Sequence, residues 1–364
     1  MKILLLPPSR TSPAARFRLL QFARPLRERG HEVEIRVIHP ERNWQSGLPY
    51  PALRWAHHRA ATAVRLVRAF AALRDAARFD VIWVNRDLLP ELRIQWLESW
   101  LIRRNPRVIF DFDDAIFLGP RDAKLRRILP EFAAVTAGNE TLARYARALN
   151  TRVAVLPTVV DTDYYQPAVQ REPGVLRIGW TGSAPTLREH LPLIRPAICR
   201  LAEEHKFEFV IICDQPPYDD WPGVKTRFIR WNPETEAEDL RKIDLGVMPL
   251  PAGAFAAAKC GTKALLYMAA GIPAVVSPVG VNSEIVVPGE TGIHCADDGQ
   301  WQSALATLLG DAGLRRRLGA AGRERVERLY SKRSIMPKLL LLLHQVACRE
   351  RGRSTQPVLS PRAS

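Results

Sequence analysis

Apolar residues fall along this chain in short runs separated by longer stretches of helical spacing, and the alternation is regular. Lys2–Leu6, Glu32–Ile38, Asp80–Val84, Arg107–Phe112, Phe132–Thr136 and Val153–Leu156 read as strands. Between them, Ala15–Arg29, Trp55–Ala77, Glu91–Arg104 and a segment starting at Asn139 read as helices. In the first of these, Phe17, Leu20 and Leu26 share a face and Gly30 supplies the stop. Strands alternating with helices predict a parallel sheet.

Residues 157–174 break the pattern with prolines and polar side chains, and then it restarts. Strands are predicted at Leu176–Trp180, Phe207–Cys213, Thr226–Ile229, Leu245–Pro249 and Ala274–Ser277. Helices are predicted at Leu187–Glu204, Glu234–Lys242 and Lys263–Ala270, and near 299–310 and 312–329. The expected fold is therefore α/β, with two doubly wound domains, 1–160 and 175–330, joined by a linker at 161–174 and meeting near Gln166. A helix at 331–348 follows, and the polar, aperiodic stretch 349–364 is expected to be disordered. Open α/β sheets bind ligands outside the carboxyl ends of their strands, so the expected site is the cleft between the domains.

Composition narrows the partners. Over 364 residues the formal charge is +15 and the pI about 10.1, which points to something anionic: nucleic acid, an anionic membrane face or a phosphorylated substrate. The five cysteines form no CxxC pair, so neither a disulfide framework nor a zinc site is indicated and a reducing cytoplasm fits. The opening MKILLLPPSR is too short an apolar run for a signal peptide, and no stretch is long enough to span a bilayer.

Three segments carry candidate chemistry. In KCGTKALLYMAAGIP, Gly261 opens a helix with Lys259 and Lys263 on either side, and Thr262 is the expected N-cap. Free N–H groups and two ammonium groups at one spot make a phosphate site, although an ordinary αβ unit with surface lysines has the same pattern. FDFDDA places Asp113 and Asp114 after a strand, where they fit a metal motif, a capped turn, or carboxylates facing a reacting hydroxyl. Trp55–Phe79, with Arg59, Arg65, Arg68 and Arg74 among apolar residues and with Trp96 and Trp100 nearby, reads as a membrane-docking helix or as a packed helix with a solvated basic face.

The stretch GTKALLYMAAGIPAVVSPVGVNSEIVVPGETGI resembles the donor-site region of family-4 glycosyltransferases. Met268, Ala269, Gly271, Pro273, Val275, Val276, Gly280, Glu284, Ile285, Val286, Gly289, Thr291 and Gly292 match its pattern in order. A subgroup of that family carries a KCGxK block, here Lys259–Lys263. The family's two glutamates fall at Ala258 and Leu266, so both carboxylates are absent, including the one that holds the donor ribose. LRIGWTGSAPTLR resembles the first strand of the family's second domain. Gly182 matches its glycine, Ser183 replaces its arginine, and Arg188 stands where its phosphate-binding lysine stands. Asp161 matches an aspartate that orders the family's linker, and RTSPAARFR resembles a subgroup pattern that puts Arg16 and Arg18 toward acceptor or phosphate.

The resemblance implies a GT-B fold of two Rossmann-like domains and a nucleotide-sugar donor on the second, with no other cofactor and no metal. It implies retention of anomeric configuration and a glycan or lipid-linked acceptor on the first domain, in cell-envelope or exopolysaccharide synthesis at the cytoplasmic membrane face. Asp113 and Asp114 would then be the catalytic pair, and Gly182, Ser183, Arg188, Lys259, Gly261, Thr262, Lys263 and Glu284 the donor set. Two rivals stand beside it: a catalytically silent subunit of the same fold, which the missing carboxylates favour, and a nucleic-acid-binding protein, which no motif supports.

Overall fold

The computed structural model describes residues 1–38, 51–89, 95–168, 174–217 and 220–349. The first sheet contains β1 (Lys2–Leu6), β2 (Glu32–Ile35), β3 (Val81–Asn85), β4 (Val108–Phe112), β5 (Ala134–Ala137) and β6 (Val153–Val155), in the order β2-β1-β3-β4-β5-β6. The second contains β7 (Leu176–Gly182), β8 (Phe207–Cys213), β9 (Lys225–Arg230), β10 (Leu245–Met248), β11 (Ala274–Val276) and β12 (Gly292–His294), in the order β12-β11-β10-β7-β8-β9. Neighbouring strands are parallel throughout. In both sheets strand order reverses at one point, between β1 and β3 in the first and between β7 and β10 in the second, and a crevice opens there.

Parallel strands covered on both faces must be apolar throughout, and β8, FEFVIIC, is buried at every position. In β4, VIFDF, the exception is Asp111, which is fully buried. Arg18 makes the exception tenable. Its Nε and Nη2 donate to the two Asp111 oxygens at 3.1 and 2.6 Å, while Asn85 and Thr136 donate to the same carboxylate at 2.7 and 2.6 Å.

Helix boundaries differ from the sequence expectation for local reasons. The first helix begins at Pro13 under a Ser12 cap and passes through a π-helical turn at Arg16–Leu20 before continuing from Gln21 to Glu28. The expected helix Leu187–Glu204 is two, Ala184–His190 and Arg195–Glu204, because Pro192 and Pro196 supply no amide for continuous pairing. The basic helix runs Pro51–Leu73, and the helix expected from Glu91 is described from Trp96 to Arg104. Residues 90–94, linker residues 169–173 and the expected disordered tail from 350 onward lie outside the described residues.

The last helix, Lys332–Ala347, returns to the first sheet. Ile335, Met336, Leu339, Leu343 and Val346 are buried in one cluster with Ile3, Leu5, Phe22, Trp83 and Ile109. The chain therefore crosses between domains twice, and the crossings are stitched together. The Val160 amide donates to the Tyr330 carbonyl at 2.9 Å, and Asp161 pairs with Lys332.

Candidate active site

A cleft of about 800 Å³ lies between the domains, where both strand-order reversals face each other. Its first-domain wall is Pro8, Ser9, Thr11 and Ser12 of the loop after β1 with the helix start Pro13–Ala14, Arg86 and Asp87 after β3, and Asp113 and Asp114 after β4. Its second-domain wall is Thr181–Ser183 at the end of β7, Asp214 after β8, Met248 ending β10, and Lys259–Lys263.

The second-domain wall is built around a glycine. Gly261 is the N-cap of the helix Thr262–Ala269 and has φ +68°, a left-handed conformation that side chains resist. A Cβ there would also lie 2.2 Å from Ile285 Cδ1. The cap is thus Gly261 and not Thr262, and no side chain satisfies the first N–H groups of the helix. Lys259 and Lys263 flank this end, and each ammonium lies over an aromatic ring: Lys259 Nζ is 4.6 Å from the Phe255 centroid and Lys263 Nζ 5.3 Å from that of Trp180. Burial, reinforced by repulsion from Lys259, lowers the Lys263 pKa to about 8. Burial and the same two lysines lower that of His190, beneath them, to about 3.

The first-domain wall is organised by Arg86. Its Nη2 lies 2.8 Å from Asp113 Oδ1 and 2.7 Å from Asp114 Oδ2, so one guanidinium spans both carboxylates. Arg86 has φ +65°, the one positive φ outside glycine among the described residues, and its amide donates to the Asp111 carbonyl at 2.7 Å. A non-glycine residue in this conformation costs roughly 1–2 kcal/mol, which the pairing must offset. Burial raises the Asp114 pKa, Asp113 raises it further, and Arg86 pulls it back. Asp87 is buried against Lys124, whose Nζ also contacts Glu98 at 2.8 Å.

The structure thus brings Asp113, Asp114, Gly182, Ser183, Lys259, Gly261, Thr262 and Lys263 to one cleft. Four expected residues do not line it. Arg188 is exposed on the helix Ala184–His190, and Glu284 is exposed on the short helix Asn282–Ile285. Arg18 is the buried partner of Asp111. Arg16 is a bridge between domains, its Nη2 2.6 Å from Glu236 Oε2, with Tyr165 donating to the same oxygen at 2.6 Å and Trp231 Nε1 to the other at 2.8 Å. Sequence reasoning missed Arg86, Asp87 and Asp214. A signal was present, since Asp214 directly follows a predicted strand and Arg86 and Asp87 come just beyond another, and the carboxyl ends of both strands face the cleft.

Residues 176–311, most of the second domain, match the family model described as Glycosyl transferases group 1. The whole chain superposes on solved structures at low identity. A glycosyltransferase from Rickettsia africae ESF-5 has a TM-score of 0.68 at 13% identity, over 96% of this chain and 99% of that one. Sucrose-phosphate synthase (tll1590) from Thermosynechococcus elongatus gives 0.67 at 16%, over 95% and 99%. Anabaena Alr3699/HepE in complex with UDP gives 0.62 at 14%, over 95% and 100%. The fold is GT-B. None of the curated proteins matches the chain. The stretch of the second domain similar to group 1 glycosyl transferases contains the lysine-flanked turn at Gly261.

Proposed function

We propose that this GT-B protein is a glycosyltransferase that moves a hexosyl group from a nucleotide-sugar to a glycan or lipid-linked acceptor, as a member of family 4 with a KCGxK donor block. One observation carries the reading. Two lysines and an uncapped helix N-terminus stand on the second-domain wall, opposite two arginine-held carboxylates on the first. As the glycosidic bond breaks, the departing diphosphate gains negative charge while C1 of the sugar becomes cation-like. Lys259, Lys263 and the amides of Gly261 and Thr262 answer the first charge, and Asp113 and Asp114 the second. The Anabaena HepE neighbour, also solved with UDP-glucose, supports a uridine diphosphate donor as the first to try.

The reaction in this reading retains anomeric configuration and uses no metal. The support for metal independence is Arg86, whose guanidinium already supplies a positive charge to one oxygen of each of Asp113 and Asp114. The decisive experiment is a nucleotide-sugar panel read by thermal shift and then by turnover of the stabilising donor, with and without a chelator. Stabilisation without turnover on any acceptor would favour a silent subunit, the reading that Ala258 and Leu266 support by standing where family carboxylates are expected. Loss of turnover with the chelator would return Asp113 and Asp114 to a metal role.

A membrane-bound acceptor in envelope or exopolysaccharide synthesis fits the first domain's surface. No helix among the described residues is long and apolar enough to cross a membrane. The helix Pro51–Leu73 instead exposes Trp55, Val64, Val67 and Phe70 together with Arg59 and Arg68, with exposed Arg74 directly after it, and Arg59 lies 4.8 Å over the Trp55 ring. Trp96 and Trp100 do not project. They pack on Phe70 at 5.4 and 5.8 Å and brace the helix. In this reading the protein sits on the cytoplasmic face as a peripheral protein, held by arginine at roughly 1 kcal/mol per charge near anionic lipid. Co-sedimentation with anionic but not neutral vesicles is the expected result, weakened by salt and by replacing Arg65, Arg68 and Arg74 with glutamine.

A further inference from the structure

The loop that carries the lysines belongs to the second domain by sequence and to the first by packing. Ala258 and Cys260 are buried in the first domain's core cluster, alongside Phe112, Ala137 and Leu142. The loop's polar groups are satisfied from the same side. Asn139 Nδ2 donates to the Ala258 carbonyl at 2.8 Å and lies 3.3 Å from both the Lys259 carbonyl and Cys260 Sγ. Cys260 Sγ donates in turn to the backbone carbonyl of Asp113 at 3.2 Å. Asn139 is itself fixed, because its Oδ1 caps the helix Glu140–Arg147 through the Leu142 amide at 2.9 Å. Gly138 leaves room for the thiol: a Cβ at that position would lie 2.4 Å from Cys260 Sγ.

We propose that Asn139 and Gly138 are positioning residues that pin the Lys259–Lys263 loop to the residue bearing the first carboxylate, and so set the spacing between the two walls of the cleft. The consequence for ligand binding rests on the diphosphate reading given above; the pin does not. Its chemistry is that of a carboxamide giving its N–H groups to a loop whose buried carbonyls have no strand or helix partner. The thiol fits the same role. Burial pushes its pKa up to about 12, so it stays a neutral donor. A loop carrying two ammonium groups needs such a pin, because Lys259 and Lys263 repel each other.

Asn139→Asp tests it with the fold protected. Aspartate caps a helix as well as asparagine does, but it removes the N–H donors and sets an anion against two carbonyl oxygens. Gly138→Ala drives a methyl group into Cys260 Sγ, and Gly138→Ala with Cys260→Ala removes the obstruction. Three readouts apply: alkylation of Cys260 by iodoacetamide, mapped by mass spectrometry; pyrophosphate and UDP binding by calorimetry; and the pH at which that binding is lost. In Asn139→Asp, Cys260 alkylation should rise at least about 10-fold as the buried thiol is freed. Pyrophosphate and UDP affinity should fall about 10-fold or more in Asn139→Asp and in Gly138→Ala, since misplacement of about 1 Å costs on that scale. Affinity should return in the double variant to that of Cys260→Ala alone. The alkaline limit of binding should also move up in Asn139→Asp, as Lys263 leaves its buried position. Unchanged alkylation in a folded Asn139→Asp overturns the pin, and increased alkylation with wild-type affinity overturns the positioning role. Alkylation that responds while the wild type binds neither pyrophosphate nor UDP upholds the pin and sinks the diphosphate reading.

Discussion

The two walls of the cleft handle charge in opposite ways. On the first domain, acids and bases are matched before any ligand arrives: Arg86 with Asp113 and Asp114, Lys124 with Asp87, and beneath them Arg18 with Asp111. On the second, Lys259 and Lys263 rest on aromatic rings and crown an uncapped helix end, and burial together with Lys259 lowers the Lys263 pKa. A matched wall is stable and rigid when empty. The lysine pair is held in place from outside, and Asp114 across the cleft is the anion that pulls the Lys263 pKa back up before a ligand arrives. In the proposed function the second wall provides binding, and the first provides chemistry at a fixed place.

The largest effect should come from unmatching the first wall at its base. Arg18→Met leaves Asp111 charged and buried with two neutral donors, and breaking such a pair costs about 3–5 kcal/mol. Urea unfolding should show a loss of that size. A loss under about 1 kcal/mol would mean that Asn85 and Thr136 suffice, and that the wall does not depend on pairing.

Within the cleft the two walls should fail differently. Lys263→Ala is expected to cut both donor affinity and turnover, the latter by about 100-fold or more, roughly 2.7 kcal/mol. Asp113→Asn should lower turnover by a similar factor with donor affinity within about 3-fold of wild type. Equal losses of donor affinity in the two variants would erase the division of labour between the walls.

The pH response should sharpen the same contrast. Lys263 has a folded pKa lowered from its usual value to about 8, so the charged form is the disfavoured one in the folded chain. An anion needs that charge. Affinity for pyrophosphate should therefore fall as pH rises through about 8, and Lys263→Gln should remove this limb. The empty protein should behave in reverse. Above pH 8 the folded state sheds a proton that the unfolded chain keeps, so unfolding becomes less favourable as pH rises. A binding profile flat from pH 7 to 9 would place the ammonium in water.

The smallest expected effects are at Arg188 and Glu284. Both sit outside the cleft, and alanine at either should leave turnover within about 3-fold of wild type, in line with ordinary surface substitutions. A loss of 100-fold at Arg188 would bring it back to the donor diphosphate as a residue that closes over the ligand.

What the sequence revealed follows from where information is stored in it. The doubly wound α/β fold was legible because period-two and period-3.6 patterns repeat along nearly the whole chain. β12 was passed over because Gly292–His294 offers one strongly apolar residue, Ile293, where the equally short β6 and β11 are apolar throughout. The helix Asp122–Ile128 was missed as well, since RDAKLRRILP mixes charged and apolar positions without a cap or a glycine stop. Site residues at strand ends, Asp113, Asp114, Gly182 and Ser183, were found at the cleft, because a strand end points one way whatever its exact register. Candidates on helices fared worse. Successive residues of a helical turn point in different directions, so Arg16 and Arg18, two apart on the π-helical turn, lie in different places. One reaches the other domain and one the buried core. Nothing local in RTSPAARFR distinguishes them, since the partners Glu236 and Asp111 are far away in sequence.

The last helix has a consequence for how the chain comes to be folded at all. Leu339 and Leu343 cover the flank of the first sheet that Ile3 and Leu5 help to form. During synthesis from the amino end, that flank emerges first and waits uncovered while the linker and the whole second domain are made. The second domain has its strands and most of its core as soon as Tyr330 is out, so the half of the protein that starts first is finished last. A nascent chain halted after Tyr330 should accordingly present a protease-resistant second domain beside a first domain that binds hydrophobic dye and is readily cleaved. Release of the remaining helix should convert it within one folding event.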